Sequence, residues 1–94
     1  MIVQYVKMKS GLSKEEILRK AREREPQYKA MKGLIQKYYV MDDSGQFGGI
    51  YIWDSRESLD SFRKSQLAGS IPETYQAIGK PDIDILDILF ALRE

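Results

Sequence analysis

Ninety-four residues, 43% apolar and 31% charged, describe one globular domain spanning 1–94 that buries roughly 60% of its unfolded-chain surface. Fifteen Lys and Arg against fourteen Asp and Glu leave a net charge of +1, too weak a field to recruit nucleic acid or an anionic membrane. The absence of Cys and His removes disulfides, thiolate and imidazole metal ligands, His-ligated haem and His-based triads.

No apolar run approaches the ~18 residues of a membrane span and no signal-peptide pattern opens the chain. The lack of Cys fits a cytoplasmic protein, the expected location. Ile2-Val3-Gln4-Tyr5-Val6-Lys7-Met8 is rich in β-formers and stops at Ser10-Gly11, a first strand. Ser13-Lys14-Glu15-Glu16 is a capping box, and Ile17, Leu18 and Ala21 behind it share a helical face. Pro26 disfavours helical geometry at Glu25, so the helix is expected to kink or stop there, with Tyr28 and Met31 continuing its buried side.

After Gly33, Leu34 to Met41 reads as a second strand, Asp42-Asp43-Ser44-Gly45 as a turn and Gly48 to Trp53 as a third strand. Asp54-Ser55-Arg56-Glu57 caps a second helix that buries Leu59 and Phe62, with Gln66 or Leu67 beyond. Ser70-Ile71-Pro72-Glu73 starts one more helical turn, Pro72 at its first position. Past Pro81, Ile83 to Leu89 is a fourth strand whose alternation slips at Ile85-Leu86, suggesting a bulge. The order βαββαβ with right-handed crossovers gives an α+β, ferredoxin-like fold: a four-stranded antiparallel sheet with both helices on one face.

The hairpin sets which residues share a face. A three-residue loop, Asp43-Ser44-Gly45, pairs Asp42 with Gln46 and places Lys37 opposite Tyr51, Ile35 opposite Trp53 and Tyr39 opposite Gly49. A four-residue loop shifts this by one and brings Gln36 and Tyr38 to that side instead. On the first register Ile2, Val6, Val40, Ile50 and Ile52 meet the helices, while Val3, Tyr5, Ile35, Tyr39, Tyr51 and Trp53 form the other face. Leaving those aromatics in water forfeits several kcal/mol at ~25 cal/mol per Å². The simplest cover is a second copy of the chain in a two-fold homodimer.

The run GLIQKYYVMDDSGQFGGIYIWDSRESLDSF resembles the YdhR-type monooxygenases of the dimeric α+β barrel superfamily, which includes the cofactor-free antibiotic-biosynthesis monooxygenases. The resemblance rests on Gly33-Leu34, Lys37, Tyr39, Gly48-Gly49-Ile50-Tyr51, Trp53 and the helix after it, with Pro26, Tyr28 and Lys29 upstream. It covers the first two-thirds of the chain; past Lys64, Gln66 to Ser70 lack the aromatic and basic residues the family pattern would bring. It implies a ferredoxin-like protomer, a dimeric barrel, and a cavity for a small aromatic or polyketide-like molecule.

Cofactor-free oxygenation lets an electron-rich substrate anion reduce O₂ directly, so the protein must exclude water and favour the anion. Lys37 can pair with an enolate or phenolate, Tyr5, Tyr39 and Tyr51 can donate hydrogen bonds, and Trp53 can stack on a planar ring; these five are the candidate ligand-binding residues. No catalytic residue and no metal ligand is assigned, and no haem, flavin or metal is expected. Against this stands simple packing: the aromatics as core or dimer contacts, Lys37 snorkelling to the rim, Asp84 and Asp87 as solvated strand residues. Gly48-Gly49 permits close strand approach rather than phosphate binding.

RNA-recognition domains share this topology, but Gln46 stands where their leading cation belongs, and Gly48 and Ile50 occupy the stacking positions. A non-catalytic homodimer that binds a metabolite or serves a structural role is the remaining alternative. A closed apolar pocket around Lys37 or a tyrosine hydroxyl would favour an enzyme or binder over a structural role.

Overall fold

A computed structural model describes residues 1–93. Its elements are β1 (Ile2–Ser10), α1 (Lys14–Lys29), β2 (Leu34–Met41), β3 (Phe47–Trp53), α2 (Arg56–Arg63), α3 (Gln66–Gly69), α4 (Ile71–Thr74) and β4 (Ala77–Asp87). The strands form one antiparallel sheet in the order β2-β3-β1-β4, the expected ferredoxin-like arrangement.

Helix α1 begins as its capping box demands: the Glu16 amide donates to Ser13 Oγ at 3.2 Å and the Ser13 amide to Glu16 Oε1 at 3.1 Å. Its inner stripe is Ile17, Ala21, Arg24 and Tyr28, spaced i, i+4, i+7, i+11. Leu18, expected on that stripe, is instead exposed. Pro26 does not end the helix, which runs to Lys29. In the last turn a proline forfeits one amide, and the helix continues far enough to bury Tyr28 in the core.

The β2–β3 hairpin closes through the three-residue loop. The Asp42 amide donates to the Gln46 carbonyl at 2.9 Å, Gly45 is left-handed at φ 87°, and Lys37 pairs with Tyr51 and Tyr39 with Gly49. Gly48 and Gly49 do allow strands to close up: a Cβ on Gly48 would collide with the Val6 carbonyl oxygen of β1. The hairpin register departs from expectation at one point. A bulge between Leu34 and Gln36 makes Leu34, not Ile35, the partner of Trp53, and the supernumerary Ile35 turns to solvent.

The faces of the sheet sort differently from the sequence expectation. Ile2 pairs with Trp53, Gln4 with Tyr51 and Val6 with Gly49, so even positions of β1 share a side with odd positions of β3. That side meets the helices. Trp53, Tyr51 and Tyr39 therefore lie under α1 and α2, while Ile50, Ile52 and Val40 turn to the open side with Val3 and Tyr5. Sorting aliphatic from aromatic side chains fails because the β1–β3 register, not residue type, decides the face. The sheet still has two apolar surfaces, and the open one is aliphatic.

Helix α2 starts on Ser55, whose Oγ accepts from the Ser58 amide at 3.2 Å, and buries Leu59 and Phe62 as expected. Strand β4 begins earlier and ends sooner than the expected Ile83 to Leu89. Its irregularity lies between Ile78 and Asp82, opposite Lys7 to Lys9, and not at Ile85-Leu86, which simply alternate. Pro81 is accommodated there, on the outermost strand. Beyond β4, Leu89, Phe90 and Leu92 are exposed at 90%, 79% and 86%. No helix among the described residues is long and apolar enough to cross a membrane.

Candidate functional site

Lys37 points from β2 into the layer between sheet and helices. Its path crosses Gly49, where a Cβ would stand 3.2 Å from Lys37 Cε and 3.1 Å from the Tyr51 ring, so the glycine leaves the space the lysine stem fills. Nζ ends over three rings, 3.5 Å from the centroid of Tyr28, 4.3 Å from Tyr39 and 4.6 Å from Tyr51. Tyr28 reaches this box from α1, Tyr39 from β2 and Tyr51 from β3.

Burial, with a smaller contribution from the like-charged Arg24, lowers the Lys37 amine to about 7. The three π faces hold part of the ammonium's charge in place of water. No carboxylate among the described residues lies within ion-pairing distance of it, whereas Lys7 has Asp42 at 3.6 Å and Lys29 has Glu25 at 3.6 Å. Burial also pushes the Tyr39 and Tyr51 phenols far up and Tyr75 to about 12, with neighbouring tyrosines adding to each shift. These phenols are donors in this setting and not bases.

Arg24 closes the far wall. Its guanidinium donates to Thr74 Oγ1 at 2.8 Å, Ser70 Oγ at 3.0 Å and the Leu67 carbonyl at 3.1 Å, tying α1 to the α3–α4 segment. The hydroxyls of Tyr28 and Tyr75 are buried with no hydrogen-bond partner among the described residues. Both border an inner cavity of about 10 Å³, room for roughly one water, which Lys37, Tyr39, Tyr51 and Gly49 also line. On the other side of Lys37 and Tyr39 lies an open cleft of about 410 Å³ between β2 and the end of α1, walled by Tyr28, Leu34, Ile35, Gln36, Glu25 and Lys29.

Of the five residues singled out in the sequence, Lys37, Tyr39 and Tyr51 come together in this box. Trp53 is adjacent but fully buried: it stacks on Tyr51 at 6.0 Å with planes 5° apart and gives its indole N–H to Gln4 Oε1 at 2.9 Å. It shapes the box from behind. Tyr5 is on the opposite face of the sheet, apart from the others. Asp84 and Asp87 are exposed on β4.

Arg24 and Tyr75 were not legible as site residues. Arg24 carried a signal in its place on the Ile17–Tyr28 stripe. Tyr75 carried none, since an aromatic after a four-residue helix has no distinguishing spacing. No group of three acidic side chains among the described residues is placed to hold a metal ion.

No protein-family model matches the chain. No curated protein matches it either. Its similarity lies in solved structures. SnoaB, a cofactor-independent oxygenase from Streptomyces nogalater, superposes with a TM-score of 0.77 at 7% identity, covering 99% of this chain and 97% of that one. A candidate antibiotic biosynthesis monooxygenase from Deinococcus radiodurans gives 0.75 at 13% identity over 100% and 98%. Another from Nitrosomonas europaea gives 0.76 at 16% over 96% and 100%. The fold is that of antibiotic biosynthesis monooxygenase-like proteins.

Proposed function

We propose that this chain is a single-domain, YdhR-type protein that takes a small, acidic, planar molecule into the cleft between β2 and α1 and acts as a cofactor-independent monooxygenase. The observation that carries the reading is Lys37: an amine in a tyrosine box, with no carboxylate among the described residues in ion-pairing reach, lining a cleft of ligand size. With its pKa near 7 the amine can accept a proton from a phenol or an enolisable carbon and then remain beside the resulting anion. Tyr39 supplies a phenolic donor and a ring edge. Leu34 and Ile35 supply apolar wall.

The chemistry asked of the protein is modest. For a substrate with an activated ring CH₂, one O₂ is consumed, the carbon becomes a carbonyl, and the second oxygen leaves as water. All four electrons come from the substrate, so its anion is the reductant. The protein favours that anion and keeps water away from it. The likeness to SnoaB supports the reading at the level of fold.

The functional unit on this reading is a homodimer built on the open sheet face. Val3, Tyr5, Val40, Ile50 and Ile52 make that face apolar, and Leu86 extends it at the β4 side. A contiguous surface of this kind calls for a cover. A second copy related by a two-fold supplies one with matching chemistry. Neither nucleic acid nor membrane enters the reading, and a cytoplasmic location accords with the lack of cysteine.

The experiment is oxygen uptake with a polyphenolic anthrone as substrate, on the purified protein and on Lys37→Met. Uptake by the parent, lost in the variant while anthrone binding is weakened, supports the reading. Binding without uptake moves the protein to the alternative, a ligand-binding homodimer, which the openness of the cleft and the small size of the enclosed cavity favour.

A further inference from the structure

We infer that Lys37 is also a nucleophilic amine, and that the box it forms with Tyr28, Tyr39 and Tyr51 takes small planar aldehydes or ketones as covalent imines. This is a separate chemistry from anion pairing, and it asks for no oxygen.

The geometry supplies each requirement. Lys37 lines both the inner cavity and the outer cleft, with Nζ held against the Tyr28 and Tyr39 rings that line the cleft beside it, so a carbonyl compound entering by the cleft approaches the amine from that side. The charged and titratable groups facing this region are Arg24, Glu25, Tyr28 and Lys29 from α1, Tyr39 beside it on β2, Tyr51 from β3, and Tyr75 after α4. Glu25 is the one carboxylate among the described residues, and it is engaged by Arg22 at 3.4 Å and Lys29 at 3.6 Å. The proton on Lys37 therefore has no anion to hold it. Burial and Arg24 weaken it further, to a pKa of about 7, whereas an ordinary lysine near 10.4 is almost wholly protonated at neutral pH.

The reaction balances without an added oxidant or reductant. The Nζ lone pair forms a bond to the carbonyl carbon as the C=O π pair moves to oxygen, which takes a proton. The resulting carbinolamine expels that oxygen as water, the nitrogen having given up two hydrogens, and a C=N bond remains. The buried, unpartnered hydroxyls of Tyr28 and Tyr75 lie on the same inner cavity and can donate to the departing oxygen. A protonated imine is again a cation, so the three rings that surround the ammonium retain their role.

The test is reductive trapping on the intact protein. Benzaldehyde and cyanoborohydride are added at pH 7, and each of the nine lysines and the N-terminal amine is quantified by peptide mass spectrometry. The expected result is benzylation of Lys37 at least tenfold above the mean of the other lysines, with a rate rising through a midpoint near pH 7. The selective label should disappear in Lys37→Arg and the background should stay. Labelling of Lys37 at or below the level of the other lysines, in protein with native circular dichroism, overturns the inference. Should Lys37→Arg not fold, the site map of the parent protein decides alone. A phenol that binds while Lys37 resists benzaldehyde supports the anion site and overturns this one.

Discussion

Trp53 and Gln4 are the most deeply buried pair across the two central strands, joined by an indole N–H that donates to the amide oxygen at 2.9 Å. Among the described residues Gln4 is the one buried amide or charged side chain, and its neighbour is the chain's single tryptophan. The pair pins the β1–β3 register, and with it the side of the sheet on which the tyrosine box forms. Replacing Gln4 with Leu leaves the indole donor unpaired in the core at a cost of about 1–3 kcal/mol. The check is urea unfolding followed by tryptophan emission, which has one source in this protein.

Close approach of β3 to β1 makes Gly48 intolerant of any side chain. Gly48→Ala drives a methyl against the Val6 carbonyl oxygen, and a backbone neighbour cannot move aside as a flexible side chain would. A loss of about 1–3 kcal/mol is expected. Gly69→Ala is the control, since a Cβ there meets nothing and its φ is not positive. It should leave stability unchanged or raise it by about 0.4–1 kcal/mol. Thermal melts of the two variants side by side provide the measurement.

Stability should trace a dome with pH whose two limbs have different owners. Lys37 titrates near 7 folded but near 10.4 unfolded, so between those values the unfolded chain binds more protons and stability rises with pH. Tyr39, Tyr51 and Tyr75 titrate above the ordinary phenol value when folded, so above pH 10 the unfolded chain loses protons first and stability falls. A maximum between pH 9 and 10 follows, read as Tm at ~4–8 °C per kcal/mol for a domain of this size. Lys37→Met should flatten the rising limb and leave the falling one.

A charge on the open sheet face should separate the proposed dimer without disturbing the box. Ile50→Glu places a carboxylate in the middle of the aliphatic patch, on the side of the sheet away from Lys37. Sedimentation should show self-association weakened by at least tenfold relative to the parent, with the tryptophan emission unchanged. A parent protein that remains monomeric at micromolar concentration would remove the dimer from the account.

Much of the frame could be read from residue patterns. The capping box at Ser13, the N-cap at Ser55, the Asp42 to Gly45 turn and the Lys37–Tyr51 pairing all rest on local chemistry, which spacing reports well. What could not be read was non-local. The side on which Tyr51 and Trp53 lie depends on β1 pairing with β3 across the intervening residues 11–46, and nothing in either segment states that register. Ile35 illustrates the same limit on a smaller scale, since one bulged residue reverses the side that alternation assigns. Lys37 was legible as a site residue because a lone cation in an aromatic strand is conspicuous. Its partners Arg24 and Tyr75 were not, because helices far apart in sequence bring them to it.

The irregularities at the two outer strands have a consequence for how copies of this chain can meet. On one margin Ile35 swells β2, and on the other the stretch from Ile78 to Asp82, with a proline lacking an amide hydrogen, interrupts β4. Each border is interrupted along its length, β2 at its start and β4 near its middle. That shortens the ladder of free donors and acceptors open to an incoming ribbon and discourages lateral growth into a continuous fibre. The homodimer proposed above would stack on the broad aliphatic surface instead, a closed pairing that leaves both borders outside it.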